Sequence, residues 1–175
     1  MMSSVAELLA AADKGRRDCQ VVGRAYYLCS ESLSRQNKLL GIPAAIFSAI
    51  VGTTIFSTLQ TESYFVLKIV TGLIAISAVI LTALQTFLNP LKESERHRTA
   101  GGKFLTMKRE YELYSLHYRG ADANMAHEAF AHFEKLARAQ NGLHDESPTI
   151  PDKFWDRARK EYGWPPTTKG RVPAP

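Results

Sequence analysis

Five histidines, two cysteines and a scatter of serines are the residues best equipped for chemistry in this chain, and their spacing limits what they can do. His127-Glu128 followed by His132 has the look of a zinc-hydrolase helix, in which two imidazoles four residues apart stack on one face around the metal. Here they stand five apart, which turns them about 140° from each other on a helix. His97, His117 and His144 fall in other segments, so no ligand set forms and no metal is expected. Cys19 and Cys29, ten residues apart on one predicted helix, cannot bridge without unwinding it, and a lone pair is no metal site. No serine sits in a nucleophile elbow, and no glycine loop precedes a helix so as to cradle phosphate. Gly101-Gly102 lies inside a helical pattern instead. We therefore expect no catalytic residue and no cofactor: the chain reads as something other than an enzyme.

Two stripes of small and polar residues are more informative. Thr71, Ala75, Ala78, Thr82, Gln85 and Asn89 recur on one helical face, small in the middle and amide-bearing toward the end. Gly41, Ala45, Ser48 and Gly52 recur on another. Residues of this size and spacing let helices approach closely in lipid. One reading is packing within a hairpin, with hydroxyls bonding back to their own helix. The other turns the stripe toward further subunits or a water-filled lumen, which Thr, Gln and Asn would make permeable to ions with little charge selectivity.

The elements that must carry these stripes are two charge-free runs, Leu39 to Thr61 and Ile69 to Leu91, each of 23 residues. At about 1.5 Å per helical residue each reaches roughly 34 Å, enough to cross a hydrocarbon core of about 30 Å with some tilt. Backbone in lipid must satisfy its own hydrogen bonds, so the runs read as helices. The seven-residue connector makes them antiparallel neighbours. Neither run holds an ionisable residue, which disfavours a proton-coupled transporter or a voltage sensor. The first begins too late and runs too long for a cleaved signal peptide.

The net charge is +5 and the mean hydropathy −0.18, an average of greasy spans and very polar flanks. Arg24, Arg35 and Lys38 precede the first run and Lys92, Arg96, Arg98, Lys103, Lys108 and Arg109 follow the second, against Lys68 in the connector. By the positive-inside rule both termini are cytoplasmic. Beside a membrane this basic balance suits anionic lipid, and no direct nucleic-acid binding is expected.

Along the chain, Ser4-Val5-Ala6-Glu7 has capping-box spacing and predicts a short helix to about Asp13 before Gly15. Val22, Tyr26, Cys29, Leu33 and Leu40 then form a seam leading toward the first span, where Pro43 can bend or restart the helix. Pro90 is placed to kink the exit from the second. His97, Ala100, Phe104, Met107, Tyr111, Tyr114 and Tyr118 follow at 3-4 spacing, a seam able to zip against the earlier one until Gly120. Asp122 is a candidate cap for a further helix carrying Ala126, Ala129, Phe130, Phe133, Leu136 and Ala137 on one face, with Asn141-Gly142 as its stop. A last helix covers about Asp152 to Tyr162. The expected fold is all-α: a two-span antiparallel transmembrane hairpin with long cytoplasmic helical extensions and short C-terminal helices. The segments are 1–38 N-terminal, 39–61 first span, 62–68 external connector, 69–91 second span, 92–119 stalk, 120–163 C-terminal helices and 164–175 disordered tail.

The order of these features resembles the SLATT family of small bacterial two-span proteins associated with nucleotide-synthesising and nucleotide-sensing conflict systems. The matching stretches are Tyr26 and Leu33, Leu40-Gly41-Ile42-Pro43, the run from Glu95 through His97, Arg98 and Phe104 to Arg109, Glu110 and Glu112, and Pro148-Thr149-Ile150-Pro151 before Phe154. The resemblance implies an inner-membrane effector of conflict or anti-phage defence that oligomerises into a membrane-disrupting pore. The implied partners are the lipid bilayer, further copies, and an upstream nucleotidyltransferase or reverse-transcriptase system or its nucleotide product. At His97, Arg98, Phe104, Arg109 and Glu110 stalk packing is favoured over ligand contact. The rival reading is a non-conducting membrane scaffold or anchor that recruits a cytoplasmic partner.

Overall fold

The computed structural model describes residues 4–58 and 65–164, and every regular element among them is helical. Helix α1 (Val5–Thr58) opens on a reciprocal capping box. The Ser4 Oγ accepts from the Glu7 N–H at 3.3 Å, and the Glu7 carboxylate accepts from the Ser4 N–H at 3.1 Å, satisfying two donors that a helix start leaves orphaned. The helix does not stop before Gly15. A Cβ there would come within 2.8 Å of the Tyr111 ring, so this glycine is a contact point rather than a terminator. Pro43 likewise lies inside α1; it forgoes one backbone hydrogen bond without ending the helix.

Helix α2 (Phe65–Leu88) takes in the last four residues of the expected connector, whose first three lie outside the described residues, as do positions 59–61 of the expected first span. It ends three residues before the expected limit at Leu91. Asn89 adopts φ +41° and α3 (Pro90–His117) begins at once. A short amide side chain tolerates the left-handed region. Proline suits a first helical position, where its missing N–H would be unsatisfied anyway. Gly120 at φ +79° closes the turn after α3. The Met125 N–H bonds the Asp122 carbonyl at 3.0 Å, so Asp122 opens a 3₁₀ turn (Ala123–Met125) instead of capping the next helix. Helix α4 (Ala126–Glu146) runs straight through Asn141-Gly142. Its last turn packs Leu143 against the core and His144 against Phe104, which outweighs the roughly 1 kcal/mol helix penalty of one glycine. Helix α5 (Asp152–Glu161) follows. Trp164 packs against the core, and the remainder of the expected tail, 165–175, lies outside the described residues.

The chain divides into two compact units, Met1–Ser30 with Glu95–Pro175 and Glu31–Ser94, α1 contributing to both. The first is a helical bundle. Val22, Tyr26, Ala100, Phe104, Tyr111, Tyr114 and Tyr118 are all buried in its core. Tyr26 meets His97 and Phe104, Gly23 meets Gly101, and Gly15 meets Tyr111, an order that makes this part of α1 antiparallel to α3. Ala129 and Leu136 bring α4 onto the same core. Phe130, expected on that face, is 48% exposed, because it stands one residue off the buried stripe.

The second unit is an antiparallel pair formed by the later part of α1 and α2. Among the described residues one helical stretch, within Ile69–His117, is long and apolar enough to cross a membrane, and only 6% of its apolar window is buried. Leu73, Ile76, Val79, Ile80 and Phe87 point outward. A water-soluble core helix would hide these groups.

Candidate functional site

Within the second unit small side chains set the contact. Ala44 on α1 and Ala78 on α2 are both buried. One turn before Ala44, the space a Cβ would take at Gly41 is filled by the Gln85 amide, 2.9 Å away. Gln85 Nε2 donates to Asn37 Oδ1 at 3.1 Å. The polar stripe of α2 therefore divides. Ala78 is buried and Thr71, Ala75 and Gln85 half-buried, whereas Thr82 and Asn89 are exposed. On α1, Ser48 is exposed and Gly52 half-buried, with open space where its Cβ would go.

The hydroxyls bond back to their own helices. Ser48 donates to the Ala44 carbonyl, Ser77 to Leu73, Thr82 to Ala78 and Thr86 to Thr82, each at 2.9 Å. Such bonds satisfy the hydroxyl proton without a partner outside the helix. Beside this contact runs an open groove of about 750 Å³, lined by Ser48, Ala78, Val79, Thr82, Ala83, Thr86 and Phe87.

In the bundle the family-motif positions part company. Phe104 is fully buried, stacked on Tyr26 with ring centroids 5.5 Å apart and touched by His144 at 4.9 Å. His97 is buried beside Tyr26. Arg98, Arg109 and Glu110 are exposed. Two residues thus pack the core and three face solvent.

Tyrosine hydroxyls tie the α1–α3 pair to α4 and to the loop that follows it. Tyr26 donates to the Pro148 carbonyl at 3.0 Å, Tyr111 to Gln140 Oε1 at 2.7 Å and Tyr114 to the Ala129 carbonyl at 3.0 Å. Each ring fills core while its polar tip finds an acceptor. Arg24 clasps Glu161 through two bonds of 2.6 and 3.4 Å, joining α1 to α5. That guanidinium holds the Glu161 carboxyl below its ordinary value.

Burial is the largest influence on several titratable groups of the bundle. Burial pushes the Cys19 thiol up to about 12 and raises Cys29, which keeps both protonated and poor nucleophiles. Burial lowers His144 and raises Asp18. His132 rests edge-on against Tyr114 and Tyr118. Among the described residues no three metal-binding side chains come together.

Sequence reasoning missed the Asn37–Gln85 bond and the tyrosine contacts with α4. A signal for the first was present in two amides, Asn37 just before the first apolar run and Gln85 near the end of the second. Periodicity marks Tyr111 and Tyr114 as buried but does not say what their hydroxyls reach.

Fold and site define a class: an all-helical chain joining a packed helical bundle to an apolar helix of membrane-crossing length whose greasy face is turned outward. The chain belongs to the SMODS and SLOG-associating 2TM effector domain family 4, whose model matches residues 24–161. The two residues that bound the match, Arg24 and Glu161, are the pair clasped across the bundle. No curated protein and no solved structure matches the chain.

Proposed function

We propose that this protein is a non-enzymatic inner-membrane effector of a bacterial conflict or anti-phage defence system. The later part of α1 and α2 cross the bilayer as a hairpin with both termini in the cytoplasm. Several hairpins assemble into a pore when an upstream nucleotidyltransferase or reverse-transcriptase system, or its nucleotide product, signals. The observation that carries the reading is α2, an apolar helix with 6% of its window buried, whose outward side chains find a fitting solvent in lipid. Family membership supports the effector role. In the assembled state Thr82 and Asn89, already exposed, are the first of the stripe to meet water, and Thr71 and Gln85 follow if α2 rotates.

The test is dye leakage from liposomes and loss of membrane potential on induced expression with the neighbouring genes present. A chain that never permeabilises a membrane in either assay refutes the pore.

A non-conducting scaffold has its own support. The Thr82 hydroxyl is satisfied within its own helix and Gln85 is held by Asn37. Thr82→Lys separates the two readings. In a pore it alters conductance or selectivity. In a scaffold it only weakens insertion, by about 2.5–3.5 kcal/mol for a charge at mid-span.

A further inference from the structure

We propose that in the chain before any pore assembles the groove of the second unit, with Arg35 and Lys38 at its end, binds one anionic phospholipid, its acyl chain along the groove and its phosphate on the cations. This rests on the reading of these helices as membrane-crossing. The groove holds about 750 Å³. The hydroxyl protons of Ser48, Thr82 and Thr86 on its walls are already given to carbonyls of their own helices. No free hydroxyl donor is left to hold water there, and a trench between membrane helices that offers none fills with hydrocarbon.

The cations stand where such a lipid would place its headgroup. Lys38, Gly41, Ala45 and Ser48 follow one another at 3-4-3 spacing, so one flank of α1 leads from the groove wall to the Lys38 ammonium. Arg35 precedes Lys38 by three residues, one turn further from the groove and near enough to Lys38 to share a headgroup. The Asn37–Gln85 bond sets the level between the helices: in this antiparallel pair Thr86 and Phe87, at the end of the groove, come level with residues 35 and 36, so Arg35 and Lys38 lie at that end. Both side chains are exposed, and neither has an ion pair among the described residues. Glu31, the acid one turn before Arg35, has an interaction of its own. Next to the cations Leu39 is 75% and Phe87 90% exposed, an apolar skirt at the depth where acyl chains begin. A zwitterionic headgroup would leave the cations uncompensated. A net negative one matches them.

The full chain is reconstituted in vesicles of equal phosphatidylglycerol and phosphatidylcholine, extracted in mild detergent, and its retained lipids counted by native mass spectrometry. One phosphatidylglycerol per chain is expected, preferred at least about ten-fold over phosphatidylcholine. Replacing Arg35 and Lys38 together by Gln lowers that retention roughly twenty-fold, about five-fold for each surface cation removed. Lys38→Arg preserves it, and Ala83→Trp, which fills the groove, abolishes it. Circular dichroism follows the fold of every variant. Equal retention of the two lipids, or unchanged retention in the double variant, means annular lipid only and overturns the proposal. A chain released from membranes by an alkaline wash overturns the membrane reading with it, a result distinct from either.

Discussion

Two adjacent glycines in the motif stretch of α3 should respond oppositely to one and the same substitution. A Cβ at Gly101 would lie 3.1 Å from the Gly23 carbonyl oxygen, 3.2 Å from Tyr26 Cβ and 3.2 Å from Tyr27 Cδ2. Two of these are fixed parts of α1, and the approach is reciprocal, since a Cβ at Gly23 would meet the Gly101 carbonyl at 3.3 Å. At Gly102 the nearest atom is the Tyr27 hydroxyl, 3.8 Å away, an ordinary contact. Replacing glycine by alanine in a helix gains about 0.8–1.0 kcal/mol at either position. Forcing a methyl into a filled crossing costs about 1–3 kcal/mol, and only Gly101 incurs it. Gly102→Ala should therefore stabilise by about 1 kcal/mol, while Gly101→Ala ranges from neutral to about 2 kcal/mol destabilising. Unfolding of the detergent-solubilised chain by heat and by guanidinium, followed by far-UV circular dichroism, should separate the variants by about 1–3 kcal/mol. At about 2–4 °C per kcal/mol for a chain of this size, that is several degrees. Equal stabilisation by both substitutions would mean that α1 and α3 do not cross at this glycine pair, and the packing argument would fail.

Other consequences are as direct. Tyr114→Phe removes a buried hydroxyl bond to the Ala129 carbonyl and should cost about 1 kcal/mol. Tyr111→Phe should cost less, because half-buried Gln140 can turn to water; denaturant melts of the two variants give the comparison. His144 has a lowered pKa, from burial first, with Asp18 and Asp145 pulling the other way. Its contribution to stability is thus intact above the ordinary value of 6.5 and is lost as pH falls from there through the depressed folded value. His144→Gln should flatten the pH dependence of unfolding below pH 6.5, and an unchanged slope would clear His144 of that role. The Arg24–Glu161 pair, each side chain about a third exposed, should show a coupling of no more than about 1 kcal/mol in a double-mutant cycle. A much larger value would mean that the clasp is better shielded from solvent than its exposure suggests.

The sequence reading reached the helices and their buried faces because both follow from local pattern. Apolar residues at 3-4 spacing mark His97 through Tyr118 as one face wherever that face is directed, and the charge-free run from Ile69 marks a helix whose side chains lack a place in water. Punctuation was less legible. Gly15 and Asn141-Gly142 look like stops, yet α1 and α4 pass through them, since tertiary contacts at Tyr111, Leu143 and His144 outweigh a propensity penalty of about 1 kcal/mol. Asn89-Pro90 does break the chain, because a left-handed residue before a proline needs no partner to interrupt a helix.

The candidate site was legible in composition and not in arrangement. A stripe running from Thr71 to Asn89 is a fact of spacing; that Gln85 reaches Asn37 over a bare Gly41 while Thr82 stays exposed depends on how far apart two helices sit. The motif residues divide for the same reason: Phe104 and His97 point along the seam that meets α1, whereas Arg98, Arg109 and Glu110 lie off it. What the residues alone determined is which surfaces avoid water, because that preference belongs to each side chain and its period along the helix. What only the folded chain decided is which partner each surface meets, because a contact forms between groups distant in sequence and exists only once the backbone has brought them within a few ångströms.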